Sequence, residues 1–161
     1  MTKSVPAASI YQAHLDAVSE ALWEHDFERV LDHISFPSFL ETDDALLRIN
    51  NREAYLPSLK TFRKTLQRLG ATAYHRLCRE AAFAPEDPNR IEGIHETYAL
   101  AGTRPVLPPY LNQMTLVHKA GRWLGAGLRS ATQNAQSMII THPEPDAGLT
   151  AAAAAKQEHR K

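Results

Sequence analysis

Eight histidines, one cysteine and a handful of acids and amides are the groups in this chain that could do chemistry. His14 stands in an early helical stretch. His75 stands in a later extended one, as does His95 with Thr97 two residues on, and Asn112 and Arg129 follow. An imidazole that titrates near neutral pH is a workable general base, and an amide can orient the group it works on. Each also has a plainer role. A histidine on an outward-facing strand position is a surface group, and Asp43–Asp44 reads as a solvated turn before it reads as a catalytic pair. Cys78 is a small hydrophobe unless a neighbouring base lowers its pKa.

Two patterns imitate known sites. IHETYAL opens like the H-E-x-x-H zinc motif, but its fifth position is Ala99 and the segment alternates as a strand. A zinc protease needs both histidines one turn apart on a helix. WLGAGLRSAT carries Gly125, Gly127 and Ser130 as G-x-G-x-x-S, one residue short of a dinucleotide fingerprint. That fingerprint needs a strand before it, a helix after it and an acid ending the next strand. Here the antiparallel turn KAG precedes it, and the acid in range, Asp146, belongs to the linker-like HPEPDAG. Gly125 and Gly127 are expected instead on one face of the last strand, with Ala126 and Leu128 on the other, so that the sheet can bend or bulge. Neither a metal nor a cofactor is expected.

The elements that would position these groups come in two blocks. Tyr11, Leu15, Val18 and Leu22 make a helical stripe over Ser9 to His25, with Ser9 as its cap. FERVLDHI follows as a short helix, capped by Asp26 and ended by Pro37. SFLETDDALLRIN reads as two short strands around a turn at Thr42–Asp44. Asn50 and Glu53 then cap a third helix with the stripe Tyr55, Leu59, Phe62, Leu66 and Leu69, kinked at Pro57 and stopped by Gly70. From Ala71 the helical period vanishes. Four strands are expected, near residues 72–83, 90–101, 110–119 and 122–132, joined as an antiparallel meander. The fold class is therefore α+β, with residues 1–8 as a leader, 9–134 as one domain and 135–161 as a disordered or helical tail.

Composition removes several function classes. Lys plus Arg and Asp plus Glu number 18 each, so no single-sign field recruits nucleic acid or an anionic membrane. One cysteine permits no internal disulfide. No apolar run is long enough to span a bilayer, and the opening MTKSVPAASIYQAHLDA has no apolar signal core. The cytoplasm is the expected compartment.

The order helix, helix, two short strands, long helix and four-stranded meander resembles the nuclear transport factor 2-like superfamily. That superfamily shares its fold with ketosteroid isomerase, scytalone dehydratase and SnoaL-type polyketide cyclases. Three local features carry the resemblance over about residues 9–134: HDFERVLDHI at the second helix, INNREAYLPSLKTF at the entry to the long helix (with Asn51 where glycine is usual), and the hairpin TLVHKAGRWLGAGL. The resemblance implies a cone-shaped, cystatin-like fold, with three N-terminal helices on a strongly curved, mainly antiparallel sheet. It also implies an apolar cavity and a homodimer formed through the convex sheet face. The three isomerase positions fall on Val18, on Thr42 with Asp43 one residue on, and on Met114, so ketosteroid isomerase chemistry is excluded.

Strand period then selects candidates. In RIEGIHETYAL one face carries Ile91, Gly93, His95, Thr97 and Ala99, the smaller set, and this face is expected inward. His95 becomes the candidate base. His14, Tyr55, Thr97, Asn112 and Met114 become the candidate ligand contacts, with Leu116 beside them. Two functions remain open. One is a cavity protein acting on a small apolar or polyketide-like ligand, as a lyase or isomerase using general acid–base chemistry. The other is a non-catalytic binding or dimerisation module.

Overall fold

A computed structural model of the chain describes residues 5–137 and 140. Three helices come first: α1 (Ala7–Trp23), α2 (Phe27–Leu31) and, after strands β1 (Ile34–Glu41) and β2 (Leu46–Ile49), α3 (Arg52–Arg68). The rest of the sheet is β3 (Ala73–Ala84), β4 (Asp87–Ala101), β5 (Arg104–Pro105), β6 (Tyr110–Lys119) and β7 (Arg122–Ser130), and the short α4 (Asn134–Ser137) follows. The spatial order is β2-β1-β7-β6-β4-β3, with β5 paired to β4. Every pairing is antiparallel except β1 with β7. The expected meander is therefore present, and the first hairpin extends it in parallel.

Several local expectations shift. Helix α1 starts at Ala7, not Ser9, because the extended Pro6 already offers its carbonyl to the amides of Ser9 and Ile10. The cap of α3 is Asn51 rather than Asn50, its Oδ1 accepting from the Ala54 amide at 2.9 Å. Asp26 caps α2 as expected. Pro37 does not end that helix; it lies inside β1, where pairing with β7 lapses between Ile34 and Phe39 and no ladder donor is demanded of it. Gly70 does stop α3, at φ +80°.

Helices α1 and α3 cover one face of the sheet. Val18, Leu22, Leu59, Phe62 and Leu66 pack with Ala99 of β4 in one cluster. Tyr11 and Leu15 pack with Ile91, Met114 and Leu116 in a second. Leu40, Leu47 and Ile49 close the third around Ile140, a residue beyond the expected domain end at 134. Ile140 is fixed by reciprocal bonds between its backbone and the Asn134 amide. Residues 1–4 of the expected leader, and 138–139 and 141–161 of the expected tail, lie outside the described residues. No helix among the described residues is long and apolar enough to cross a membrane.

Candidate functional site

Alternation on β4 resolves as expected: Ile91, Gly93, His95, Thr97 and Ala99 are all buried against the helices. On β6, Tyr110, Asn112, Met114 and Leu116 share that face, and His95 is directly paired with Asn112. The last strand departs from simple alternation. Opposite Thr115 and Leu116, the register of β7 jumps from Gly127 to Gly125, which leaves Ala126 as a bulge. Gly125 consequently faces inward while Gly127 sits opposite the outward Thr115, and Leu128 and Ser130 turn inward with Met114 and Asn112. The two glycines do shape the wall, but they do not share one face. A Cβ on Gly125 would lie 3.4 Å from His14 Nε2, so the bare backbone there makes room for the imidazole.

These faces enclose a cavity of about 90 Å³. Of the candidate contacts, His14, Tyr55, Asn112 and Met114 line it, together with apolar walls from Val18, Leu59 and Phe62. Thr97 lies just behind, accepting from Asn112 Nδ2 at 3.5 Å. His95 is also behind the lining and fully buried, its Nδ1 2.6 Å from the Tyr11 hydroxyl. When the phenol donates, the His95 proton sits on Nε2; in the other tautomer Nε2 is a bare acceptor. Either way Nε2 has no protein partner among the described residues. The same holds for His14 Nδ1 and Asn112 Oδ1. Two of these three atoms belong to residues that line the cavity, and the third, on His95, lies behind Asn112.

Burial sets the electrostatics. It pushes the His14 pKa down to about 3, with the Arg76 charge and His33 adding to the effect. Burial likewise pushes His95 down to about 2, helped by Arg76 and then His14. Both rings are neutral at physiological pH. Burial raises the Tyr11 phenol above its usual range and Tyr55 to about 12, so both stay protonated. The remaining sequence candidates lie elsewhere. His75 faces outward, and Arg129 forms ion pairs with Glu41 and Asp43. Asp44 accepts from Thr42 and from the Asn134 amide, as a turn residue would. Burial raises the Cys78 thiol pKa, as does the Glu80 charge, which keeps the thiol unreactive. Among the described residues no cluster of histidine, cysteine or acid side chains could hold a metal ion.

Sequence reading missed two residues. Arg76 reaches the cavity from β3, on the inward face with Tyr74 and Cys78. Its spacing from those two was the available signal. Tyr11 was legible as part of an apolar stripe, but its hydroxyl partner lies 84 positions away.

No protein-family model and no curated protein matches the sequence. Solved structures do match. Aln2 from a Streptomyces species superposes with a TM-score of 0.60 at 10% identity, over 84% of this chain and 98% of that one. A cystatin-like-fold protein from Nostoc punctiforme gives 0.59 at 9% identity, over 81% and 93%. An NTF2-like protein with a cystatin-like fold from Novosphingobium aromaticivorans gives 0.56 at 10%, over 84% and 90%. At such identities the likeness is one of fold: this chain has the nuclear transport factor 2-like, cystatin-like α+β fold.

Proposed function

We propose that the chain binds a compact small molecule in the cavity between α1, α3 and the sheet, and that His14 exchanges a proton with it, as in a lyase or isomerase. The observation that carries this reading is that His14 and Asn112, each with a buried polar atom lacking a protein partner, line one largely apolar cavity, with His95 directly behind Asn112. Leaving such atoms unpaired costs about 1–3 kcal/mol each, and a ligand hydroxyl that donates to Asn112 Oδ1 or meets the His14 ring would recover part of it. His14 is the ring placed to meet a ligand, because it lines the cavity, whereas His95 stands behind the lining and is tied to Tyr11. The negative charge of a bound anion would raise the lowered basicity of His14 toward the working range. A volume of about 90 Å³ favours a compact ligand over a polycyclic one.

The test has two arms. Histidine and asparagine resonances are followed while isobutyrate, benzoate, benzamide, phenol and cyclohexanone are titrated in; at least one probe is expected to move His14 and Asn112. Deuterium uptake at the α-carbon of small ketones is then measured, and His14→Gln is expected to slow any catalysed exchange by about 10²-fold or more. Perturbed resonances without exchange would leave a binding module. Silence in both arms would remove the cavity reading altogether.

The outer face supports a second component, a homodimer. Leu77 and Leu111 are exposed there on either side of Glu96 in adjacent strands. Sedimentation is expected to show a dimer that Leu77→Glu with Leu111→Glu converts to monomers. A monomeric wild type would end that proposal.

A further inference from the structure

Arg76 is the charged side chain among those lining the cavity, and it is only 8% exposed. Its place is set from both sides. The Gln12 amide on α1 donates to the Arg76 carbonyl at 2.9 Å and accepts from the Cys78 amide at 2.7 Å, pinning the edge strand around it. The guanidinium then donates from Nε to Ser19 Oγ at 2.8 Å and from Nη2 to the Leu15 carbonyl at 3.4 Å, and it lies 5.9 Å from the Tyr74 ring centre. All of these partners are neutral. None of the ion pairs among the described residues includes Arg76.

A guanidinium cannot shed its proton at any relevant pH. Asp16 and Glu20 share an outer groove with it but make no ion pair with it among the described residues. Holding it largely away from water without a direct ionic partner is costly, and methionine would fill the same space without that cost. The neighbouring imidazoles are neutral, so they neither offset this charge nor add to it. The cavity therefore carries a net positive charge inside apolar walls formed by Val18, Leu59, Phe62 and Met114.

We infer that the cavity selects a compact monocarboxylate, its two oxygens taken by the Arg76 guanidinium and its apolar body by the walls. The planar fork of an arginine matches a carboxylate with two parallel hydrogen bonds, which neither an amide nor an alcohol reproduces. His14 and the Asn112 amide are then left to orient any hydroxyl that the ligand carries beside its carboxylate. This inference rests on the cavity reading above and narrows it to one chemical class.

Isosteric pairs separate the two. Isobutyrate is compared with isobutyramide, and benzoate with benzamide, by calorimetry at neutral pH. The carboxylates are expected to bind at least about tenfold more tightly, and Arg76→Gln is expected to abolish that preference while amide binding survives. Arg76→Lys keeps the charge but loses the fork, and should retain part of the preference. Thermal melts are run on each variant. An arginine that merely ties β3 to α1 would lower the melting temperature yet leave the carboxylate-to-amide ratio intact, and that result would overturn the inference. Should Arg76→Gln not fold, the wild-type ratio and the lysine variant decide. Equal binding of acid and amide by the wild type overturns the carboxylate assignment and keeps the cavity. If no probe binds, both fall.

Discussion

Acidification from about pH 7 to about pH 4.5 is expected to remove about 5 kcal/mol of folding stability, with His14 and His95 as the source. Both rings are buried, and their pKa values in the folded chain are pushed down to about 3 and about 2. In the unfolded chain they titrate near the ordinary value of about 6.5. Between these limits the unfolded state binds more protons than the folded one, so stability rises with pH. It is fully present above the unfolded value and is lost as pH falls toward the folded ones. Each ring contributes a slope approaching 1.4 kcal/mol per pH unit, acting over about two units in this range. Domains of ordinary stability, about 5–15 kcal/mol, have little margin against such a loss.

The groups facing the two rings support the sign. His95 meets Tyr11, which stays protonated, and feels Arg76 and His14; His14 feels Arg76 and His33. Among the described residues no carboxylate lines the cavity to stabilise an imidazolium. Glu96 on the outer face is held below the usual carboxylate range by Tyr98 and Arg79, so its own contribution is lost mainly at more acidic pH. Urea titrations across the pH range give the slope directly. His14→Gln and His95→Gln should each roughly halve it, and a flat profile in the wild type would mean that the folded rings already carry protons. The same neutrality gives the cavity its character, because it leaves Arg76 as the source of charge there.

The parts of this site that were legible in the sequence are those governed by local period. RIEGIHETYAL alternates cleanly, and its smaller set of residues is indeed the buried one. Gly125 and Gly127 announced a departure from regular sheet, and the bulge at Ala126 lies between them. What period cannot give is a change of parity. The same bulge moved Leu128 to the inner face. On β3, Arg79 is a second unpaired residue, since Cys78 faces His95 while Glu80 faces Ile94. In a strand reading YHRLCREA, with polar groups on both faces, nothing local says whether His75 or Arg76 points inward. The helix stripe resolves that choice only in three dimensions, through Gln12 and Ser19. Tyr11 was hidden for a different reason: its apolar ring explains its place in the stripe, so its hydroxyl raised no question.

Gly93→Ala is expected to destabilise the fold by about 3 kcal/mol or more, from overpacking together with a lost buried hydrogen bond. A Cβ at this position would stand 2.3 Å from Tyr11 Cε2, 2.6 Å from Cδ2 and 2.7 Å from Cζ. The obstacle is space rather than backbone angle, since Gly93 is not among the glycines with positive φ. Gly70, Gly102 and Gly121 are the opposite case, with positive φ and open surroundings. The Tyr11 ring has nowhere to go. It is fully buried, packed among Leu15, Ile91, Met114 and Leu116, and its hydroxyl is held 2.6 Å from His95 Nδ1. Any shift that relieves the clash pulls the phenol from the imidazole and leaves His95 with both nitrogens unpaired, beside the Asn112 that lines the cavity. A double-mutant cycle isolates this cause. In a Tyr11→Leu background the ring and its hydroxyl are gone, so Gly93→Ala should cost less than about 1 kcal/mol there. An equal cost in both backgrounds would show that Gly93 serves the strand itself. A strong coupling would instead establish that a missing side chain on β4 is what lets a helix tyrosine hold the histidine behind the cavity wall.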